Sequence, residues 1–446
     1  MASTGERIRT TEVAAHAGER VRVVGWLHAV RRLGGITFVV LRDGWGTVQV
    51  VAEDEAALAP LRAAGVSPLG TGAGVESVIA IEGIVAEAPQ APAGVELREP
   101  RIEVITPVRE APPVTLGKRE PRASLATLLD TAVVTNRHPM RRAVLRLGAG
   151  AMEGFRAAMR AQSFTEIQTP KLVATATESG SNVFAVDYFG RTAYLAQSPQ
   201  FYKQMLVGVF ERVFEVGPVF RAEPHDTTRH LNEYVSLDAE MGFIEDHFTV
   251  MAVLRDAVAG IFATLAGGYE AELRLLGATL PEVPAHIPHI HFTEAKALIL
   301  RRHGVDTQGE PDLAPREERW LGEWAREEHG SDLLYVTGYP MAARPFYTHP
   351  DPARPAYSNS FDLLFRGTEL VTGGQRLHRY EDYLAALERA HLSVEPFARY
   401  LDAFRYGMPL EGGFAIGLER LLTQLLGLPS VKLAATFPRD LTRLEP

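Results

Sequence analysis

The sequence of 446 residues contains no cysteine. That absence excludes disulfide bonds, zinc sites with cysteine ligands and thiolate nucleophiles. The amino-terminal stretch has no apolar core of the kind found in secretory signals, and no apolar run approaches the length of a membrane span. We therefore expect a cytoplasmic protein that is not embedded in a membrane.

The chain is also poor in lysine and lacks two common phosphate-binding loops. Only five of its 46 basic residues are lysine, so a lysine within a motif is more informative than an arginine. Neither GxxxxGK[ST] nor GxGxxG occurs, so a nucleotide would not be held by a P-loop or a dinucleotide fingerprint. The net charge of −9 argues against a broadly basic nucleic-acid-binding surface, although it allows a local basic face.

Residues 21–50 are typical of three short strands. Apolar residues alternate there, and turn-like breaks fall at 31–35 and 43–46. A second pair of strands is predicted at 77–89 and 96–105, with a short helix at 58–66 before them. Five strands and one helix indicate an OB-type barrel, a fold that binds oligonucleotides; a small β-barrel with another role is the alternative. We assign this domain to residues 1–106.

The rest of the chain predicts an α+β domain. Residues 107–123 are rich in proline and charge and indicate a linker, which we extend to residue 135. A helix is predicted over 138–163, followed by strands adjacent in sequence with helices interspersed. This order is typical of an antiparallel β-sheet flanked by helices, and we assign it to 136–446. A charged helix near 316–330 is predicted to face solvent.

The segment VFRAEPHDTTRHLNEY (residues 219–234) concentrates charged side chains between two strand-like apolar runs. A hairpin of this kind can present an arginine fork to a phosphate, a carboxylate to an exocyclic amine and an aromatic ring to a base. It therefore indicates a nucleotide site. For this segment alone, a solvated charged hairpin is an equally good interpretation.

Two further segments favour the nucleotide site. FTEIQTP ends in Pro170, and GGFAIGLER (residues 412–420) is a glycine-rich strand that leads into a helix. In this order and spacing, the three segments resemble the signature motifs of class II aminoacyl-tRNA synthetases. The resemblance covers nearly the whole chain and is closest to the aspartyl enzymes in their compact archaeal-type form. It implies the OB-fold and class II catalytic domains, and a homodimer whose interface includes Pro170.

The resemblance implies that ATP and an amino acid react to form an adenylate, which requires positioning and charge neutralisation. Arg221 would hold the α-phosphate and the substrate carboxylate, and Arg420 the γ-phosphate, so that both are implied catalytic residues. Glu223 would accept from the adenine amine, and Tyr234 would stack on adenine where the family usually has phenylalanine. For His230, a core histidine bonded to backbone is the alternative. The implied ATP-binding residues are Arg221, Glu223, Arg229, His230, Tyr234, Glu369 and Arg420.

The segment FDLLFRGTELVTGGQR offers oxygen ligands for Mg²⁺ in Asp362, Glu369 and Thr372. Glu369 and Thr372 are three residues apart, so a strand would need a local bend for them to converge. The family usually has serine at Thr372, and either hydroxyl can serve. Surface acids on a hairpin are the alternative, which the adjacent Arg376 disfavours.

Lys203 and Arg376 match the two residues that bind the side-chain carboxylate in aspartyl enzymes. A buried pair of cations rejects asparagine, because its neutral amide would leave positive charge uncompensated. The alternative for Lys203 is an exposed helical lysine. The resemblance implies Gln200, Glu178 and Asp238 near the α-amino group, and Glu178 lies in a segment that resembles a mobile loop.

The OB-type domain would bind the anticodon, since unstacked bases are held by aromatic stacking and by hydrogen bonds to their edges. By resemblance, Phe38 and Gln49 would stack on and read the central U, with Arg31 and Arg32 nearby. Taken alone, Phe38 is more typical of a core residue.

Two positions concern the choice of tRNA. His28 stands where relatives restricted to tRNA(Asp) tend to have tryptophan, and Pro92 where they have lysine in a facing loop. The anticodons GUC and GUU differ only in the third base, so a smaller histidine and an uncharged proline would relax discrimination. We therefore predict aspartylation of both tRNA(Asp) and tRNA(Asn), with an amidotransferase converting Asp-tRNA(Asn) to Asn-tRNA(Asn).

Four alternatives remain at this point. One is an aspartyl enzyme restricted to tRNA(Asp), and another is an asparaginyl enzyme, which Lys203 disfavours. The third is a synthetase-like enzyme that makes asparagine from aspartate and ammonia, although such relatives lack the OB-type domain. The fourth is a catalytically inactive tRNA-binding protein. The fourth is disfavoured by the retention of Arg221, Glu223, Asp362, Glu369 and Arg420.

Overall fold

The computed structural model describes residues 5–66, 74–91, 94–118, 120–121, 123–175 and 182–445. Pro92 and Glu178, two of the residues predicted to be functional, lie outside these ranges. The chain divides into two compact units, Met1–Pro139 and Met140–Pro446.

The first unit is a closed β-barrel. The strand order is β1-β2-β3-β4-β6-β5, and an additional pairing of β2 with β5 closes the barrel. Alternate residues fill its interior: Val39 and Leu41 of β3 are buried, whereas Phe38 and Val40, which alternate with them, are only partly buried. The predicted OB-type barrel is confirmed. Its elements are β1 (Arg7–Ile8), β2 (Arg20–Leu33), β3 (Ile36–Arg42), β4 (Thr47–Ala52), α1 (Ala59–Ala63), β5 (Val78–Glu87) and β6 (Val95–Thr106).

Two short helices follow the barrel within the first unit, α2 (Leu125–Asp130) and α3 (Ala132–Thr135). They lie in the segment for which the sequence predicts only a linker. Ser124 caps α2, because its side chain accepts a hydrogen bond from the Thr127 N–H at 3.1 Å.

The second unit is built on an eight-stranded sheet with the order β13-β14-β15-β16-β17-β12-β11-β7. Neighbouring strands are antiparallel except at the two ends, where β13 pairs with β14 and β7 with β11 in parallel. The sheet consists of β7 (Thr165–Glu166), β11 (Arg212–Phe220), β12 (Glu233–Gly242), β13 (His289–His291), β14 (Leu333–Thr337), β15 (Ser360–Phe365), β16 (Thr368–Gln375) and β17 (Glu411–Gly417). A small second sheet has the order β8-β10-β9 and comprises β8 (Leu172–Val173), β9 (Ala185–Tyr188) and β10 (Arg191–Leu195).

Helices α4 and α6 contribute to the main core together with one face of the sheet. Leu237, Ala239 and Met241 of β12 belong to that core, so strand alternation turns Ser236, Asp238 and Glu240 to the opposite face. The predicted antiparallel α+β domain is confirmed. The helices are α4 (Pro139–Ala161), α5 (Gln200–Phe210), α6 (His247–Gly268), α7 (Glu270–Leu276), α8 (Phe292–His303), α9 (Pro315–His329), α10 (Tyr380–Arg389), α11 (Ala398–Arg405) and α12 (Leu418–Leu426).

Two helices depart from the sequence predictions. Helix α6 is long and apolar enough to cross a membrane by length and composition alone, which corrects the expectation that the chain has no such run. Its buried residues pack in the core of the sheet domain, so we describe it as a core helix. Helix α9 was predicted to be a solvated face, yet its Glu317 and Glu318 are buried.

Candidate active site

The loop between β11 and β12 carries the charged segment of the sequence. Phe220 pairs with Glu233 across the two strands, so residues 221–232 form the loop. Asn232 Nδ2 donates to the Arg221 carbonyl at 2.7 Å and to the Glu223 carbonyl at 3.3 Å, and the Arg221 N–H donates to the Asn232 carbonyl at 2.9 Å. The Asn232 side chain thereby fixes the backbone conformation at both Arg221 and Glu223.

A cleft with a volume of 470 Å³ opens on the sheet face opposite α4 and α6. It brings together residues that are far apart in the sequence. Asp238 and Asp362 do not line the cleft but lie behind it. Asp238 contacts the lining residue Lys203, and Asp362 contacts the lining residue Arg344. The predicted residues that line the cleft are Gln200, Lys203, Arg221, Glu223, Arg229, His230, Tyr234, Glu369, Thr372, Arg376 and Arg420.

Four of these residues, Arg221, Arg229, Arg376 and Arg420, supply guanidinium groups. The Arg221 Cζ atom lies 5.9 Å from the centroid of the Tyr234 ring. Arg420 Nη1 donates to the Glu369 carbonyl at 3.1 Å and to Glu369 Oε1 at 3.2 Å. Several cations beside an aromatic face suit a ligand that joins a polyphosphate to a planar base.

His230 lines the cleft, and its side chain is partly exposed. Its Nε2 atom lies 3.3 Å from Glu223 Oε2, and its Nδ1 atom lies 2.6 Å from Thr227 Oγ1. The alternative of a core histidine bonded to backbone does not describe this environment, because both contacts are to side chains.

A β-bulge in β16 brings Glu369 and Thr372 to the same face of the sheet. Leu363 of β15 pairs with Val371, but Leu364 pairs with Glu369, so Leu370 is an extra residue in β16. Thr372 Oγ1 then lies 3.3 Å from Glu369 Oε1 and donates to it. The bulge is therefore the local bend that allows these two residues of one strand to converge.

The oxygen atoms near this bulge fit a magnesium ion bound together with substrate phosphates. Mg²⁺ commonly uses one or two carboxylates and takes its other ligands from phosphates and water. Arg344 Nη2 donates to Asp362 Oδ2 at 2.9 Å, while the buried Asp362 Oδ1 has no hydrogen-bond partner among the described residues. Burial raises the pKa of Asp362 to about 6, against the opposing effect of Arg344. Glu369 and Thr372 line the cleft directly.

The floor of the cleft holds two buried cations separated by one carboxylate. Lys203 Nζ lies 3.0 Å from Asp238 Oδ1 and 3.1 Å from Glu240 Oε2. Arg376 Nε donates to Glu240 Oε1 at 2.9 Å. Lys203 is therefore a buried residue, not the exposed helical lysine that the sequence left open. Gly413 of β17 makes this packing possible, because a Cβ atom there would collide with Glu240 Oε2 and the Ala239 carbonyl.

A second buried acid, Glu411, stands next to this group. Gln204 Nε2 donates to Glu411 Oε1 at 2.8 Å, and Gln200 Nε2 donates to Gln204 Oε1 at 2.9 Å. Burial, followed by the nearby charge of Glu240, raises the pKa of Glu411 well above its usual range. Among the described residues, Lys203 is ion-paired with Asp238 and Glu240, and Arg376 with Glu240.

Glu419 joins β12 to the start of α12 beside the cleft. Its two carboxylate oxygens accept the Val235 N–H at 3.3 and 3.1 Å. Burial raises the pKa of Glu419 to about 7. Since Tyr234 precedes Val235 and Arg420 follows Glu419, this contact fixes two cleft residues relative to each other.

The predicted anticodon residues lie on the barrel of the first unit. Phe38 pairs with Arg31 across β2 and β3, so these two side chains share one face. Arg32 points to the other face, and its Nη2 atom lies 3.1 Å from Glu55 Oε1. Arg31 is therefore the arginine that the structure brings next to Phe38.

Gln49 and His28 complete the predicted set on the barrel. Gln49 of β4 pairs with Val40, the residue that follows Phe38 on the outer face of β3. The Gln49 Nε2 atom donates to Glu96 Oε2 at 3.2 Å. The pairing of β2 with β3 shifts between Leu27 and Ala29, so His28 is the bulged residue. A bulge turns a side chain out of the regular alternation, and the His28 side chain is half-buried at this irregular point of the barrel.

Several residues that line the cleft or support it from behind were missed in the sequence. Glu240 could have been found, because it lies two residues after Asp238 on a strand and must share its face. Asn232 and Glu419 lie inside recognised motifs but act on backbone groups. Glu318 comes from α9 and carries no motif that would have indicated a position near the cleft.

Comparison with known families agrees with both units. The family described as class II tRNA synthetases (D, K and N) matches residues 124–441, and the OB-fold nucleic acid binding domain matches residues 21–105.

Individual proteins are similar over nearly the whole chain. An aspartate–tRNA(Asp/Asn) ligase from Deinococcus radiodurans is 46% identical over 451 residues and covers 100% of both chains. An aspartate–tRNA(Asp) ligase from Pyrococcus horikoshii is 38% identical and covers 96% of this chain and 97% of its own. The crystal structure of asparaginyl-tRNA synthetase from Pyrococcus horikoshii with asparaginyl-adenylate has a TM-score of 0.87 at 30% identity, over 99% of this chain and 100% of its own.

Proposed function

The chain belongs to the class II tRNA synthetases of the aspartate, lysine and asparagine group, and on that premise we propose that it is an aspartate–tRNA ligase that charges both tRNA(Asp) and tRNA(Asn). Members of this family are aminoacyl-tRNA ligases that use ATP and bind tRNA. The choice among amino acids rests on one observation, the buried Lys203 and Arg376 on either side of Glu240.

In the activation step, the α-carboxylate of aspartate attacks the α-phosphate of ATP. The bond from that phosphorus to the bridging oxygen breaks, and pyrophosphate leaves. Arg221 is the residue best placed to hold the α-phosphate and the attacking carboxylate, because Asn232 fixes its backbone. Arg229, His230 and Arg420 would offset the charge of the outer phosphates, and Glu223 and Tyr234 would hold adenine. Fixed cations act here without reorganisation during the reaction.

Magnesium would be held by Glu369 and Thr372, with Asp362 behind them. When bound, the ion supplies positive charge to the phosphates. The chain's own contribution is the bulge at Leu370, which turns Glu369 and Thr372 to one side, and the Arg420 contact, which holds Glu369.

The side-chain carboxylate of aspartate would be bound by Lys203 and Arg376. Asparagine carries no charge there, so its amide would forgo the charge-assisted hydrogen bonds that a carboxylate would make with these two cations. Asp238 would accept from the α-amino group, which is also the implied role of Gln200 and of Glu178, outside the described residues.

In the transfer step, a ribose hydroxyl at the 3′ end of tRNA attacks the aspartyl carbonyl and AMP leaves. The outer face of the barrel, with Phe38, Gln49 and Arg31, would bind the anticodon. His28 at the bulge of β2 supports a relaxed choice at its third base, together with Pro92, which lies outside the described residues. The name of the relative from Deinococcus radiodurans includes both tRNAs, which supports the same choice.

The proposed enzyme would have a second copy of itself and an amidotransferase as partners. A homodimer would form through the segment around Pro170, whose side chain is exposed after β7. The product Asp-tRNA(Asn) requires conversion of its side-chain carboxylate to an amide, so an amidotransferase would act next. The reaction takes place with tRNA in the cytoplasm.

Pyrophosphate exchange tests the amino acid assignment. The purified protein is incubated with ATP, Mg²⁺ and labelled pyrophosphate, with L-aspartate or L-asparagine in parallel. We expect kcat/KM for aspartate to exceed that for asparagine by at least about 100-fold, because charge recognition gives strong discrimination. Equal or faster exchange with asparagine would refute the assignment and favour an asparaginyl enzyme. Activity of either kind excludes the inactive tRNA-binding protein.

A further inference from the structure

A carboxylate from helix α9, Glu318, stands directly behind the bulge in β16. Glu318 Oε2 accepts the Glu369 N–H at 3.1 Å and lies 3.5 Å from Arg229 Nη1. Only about a tenth of its side chain is exposed. No residue of helix α9 is among those that line the cleft. Glu318 therefore acts on the cleft from behind, through Glu369 and Arg229.

Close packing of two backbones brings Glu318 to this position. A Cβ atom on Gly322 would lie 2.5 Å from the Cα of Gly367 in the turn between β15 and β16, and one on Gly367 would lie 2.8 Å from the Cα of Arg319. Only glycine at both positions permits such an approach. The first turn of α9 therefore lies against the end of β16, where the bulge begins.

The Glu369 N–H is a group that the bulge displaces from the regular ladder. A bulge leaves one residue without its usual strand partner, and a buried N–H without an acceptor is costly. Glu318 supplies the acceptor. Since the bulge is also what turns Glu369 and Thr372 to the same side, the acceptor stabilises the arrangement in which these two oxygens converge.

The same carboxylate is linked to an arginine of the loop after β11. Besides its approach to Glu318, Arg229 donates from Nη2 to Thr368 Oγ1 at 3.4 Å. Arg229 is therefore held against the first residue of β16. On the other side of Glu369, Arg420 contacts its carbonyl and carboxylate.

We infer that Glu318 is a positioning residue that holds both the β16 bulge and Arg229. The oxygens of Glu369 and Thr372 would then contact the metal ion that accompanies ATP, while the Arg229 guanidinium contacts the phosphates. The inference rests on the proposed function, since it assumes that Glu369 and Thr372 bind Mg²⁺. It assigns no contact between Glu318 and the substrate. The amino acid pocket should be independent of it, because Lys203 and Arg376 are held by Asp238 and Glu240.

The test compares Glu318→Ala with Glu323→Ala, an exposed glutamate on the same helix. For Glu318→Ala we expect the Mg²⁺ concentration at half-maximal pyrophosphate exchange and KM for ATP to rise about tenfold or more, with KM for aspartate unchanged. Glu323→Ala should match the wild type. Glu318→Gln keeps a carbonyl acceptor for the Glu369 N–H, so it should recover most of the Mg²⁺ dependence.

Binding provides a readout independent of turnover. Mn²⁺ titration followed by electron paramagnetic resonance, with a non-hydrolysable ATP analogue, should show weaker binding to Glu318→Ala than to Glu323→Ala. If Glu318→Ala does not fold, Glu318→Asp replaces it, since the shorter side chain withdraws the acceptor. The inference fails if the Mg²⁺ and Mn²⁺ dependences equal those of Glu323→Ala, or if KM for aspartate rises by the same factor. Absence of aspartate-dependent exchange in the wild type would instead refute the proposed function.

Discussion

Lys203 Nζ lies 3.1 Å from Glu240 Oε2, and at most 2% of either side chain is exposed. The other oxygen of Glu240 accepts from Arg376. One carboxylate therefore holds two cations at fixed positions at the floor of the cleft. Because their positions are set before the substrate arrives, binding a carboxylate there requires little reorganisation.

Replacing Lys203 tests this arrangement. Lys203→Met should lower kcat/KM for aspartate in pyrophosphate exchange by about 150-fold to 4,000-fold, because removing one partner from a buried charge group costs about 3–5 kcal/mol. Lys171→Met is the control, since Lys171 pairs with Glu215 at 2.8 Å and is not among the residues that line the cleft. If both variants lose activity to the same extent, the effect is on stability and not on recognition.

Arg420→Ala tests the phosphate side of the cleft. We expect kcat/KM for ATP to fall by about 100-fold, because hydrogen bonds to charged groups contribute about 1.5–3 kcal/mol. KM for aspartate should change little. Arg389→Ala, at the exposed end of α10, serves as the control. A matching rise in KM for both substrates would argue against a specific role with ATP.

The raised pKa of Glu419 predicts that the stability of the folded protein depends on pH. Burial raises its pKa to about 7, above the value of about 4.3 in an unfolded chain. Its contribution is therefore fully present below about pH 4.3 and is lost as the pH rises through about 7. Compared with Glu419→Gln, the wild type should lose about 4 kcal/mol of unfolding free energy across this window.

Urea unfolding of the wild type and Glu419→Gln at several pH values between 5 and 8 measures this difference directly. Comparing the two proteins cancels the titration of all other groups. The difference in unfolding free energy should change with pH and level off above the raised pKa. A difference that is constant with pH would show that Glu419 is ionised in the folded protein throughout this range.

Phe38→Ala separates the barrel from the cleft. Stacking of a base on an aromatic ring contributes about 1–3 kcal/mol, so KM for tRNA should rise by about 10-fold to 100-fold. Aspartate-dependent pyrophosphate exchange without tRNA should be unchanged. Trp45→Ala is the control, because Trp45 is an exposed aromatic residue in the turn beyond the far end of β3. Equal effects of the two variants on KM for tRNA would contradict the assigned role of Phe38.

The motifs predicted most of the cleft because each is a short segment with its own chemistry. Arg221, Glu223 and Tyr234 follow from one hairpin, and Arg420 from a strand that leads into a helix. Alternation along β12 would also have revealed Glu240. These features depend on neighbours in the sequence, and so they can be recognised without coordinates.

The remaining features depend on contacts between distant segments. The bulge at Leu370 arises from the pairing of β15 with β16, and no periodicity in the sequence marks it. Glu318 reaches that bulge only because α9 packs against the turn at Gly367. Likewise, strand register shows that Arg31, and not Arg32, shares a face with Phe38. A solvated face was predicted for α9 because charge patterning does not reveal which acids are covered.

The charging of two transcripts tests the central claim most directly. The wild-type protein is incubated with ATP, Mg²⁺ and labelled aspartate, and with transcripts of tRNA(Asp), anticodon GUC, or tRNA(Asn), anticodon GUU. We predict that both transcripts are charged with aspartate at comparable concentrations. Charging of the GUC transcript alone would contradict the account and indicate an aspartyl enzyme restricted to tRNA(Asp).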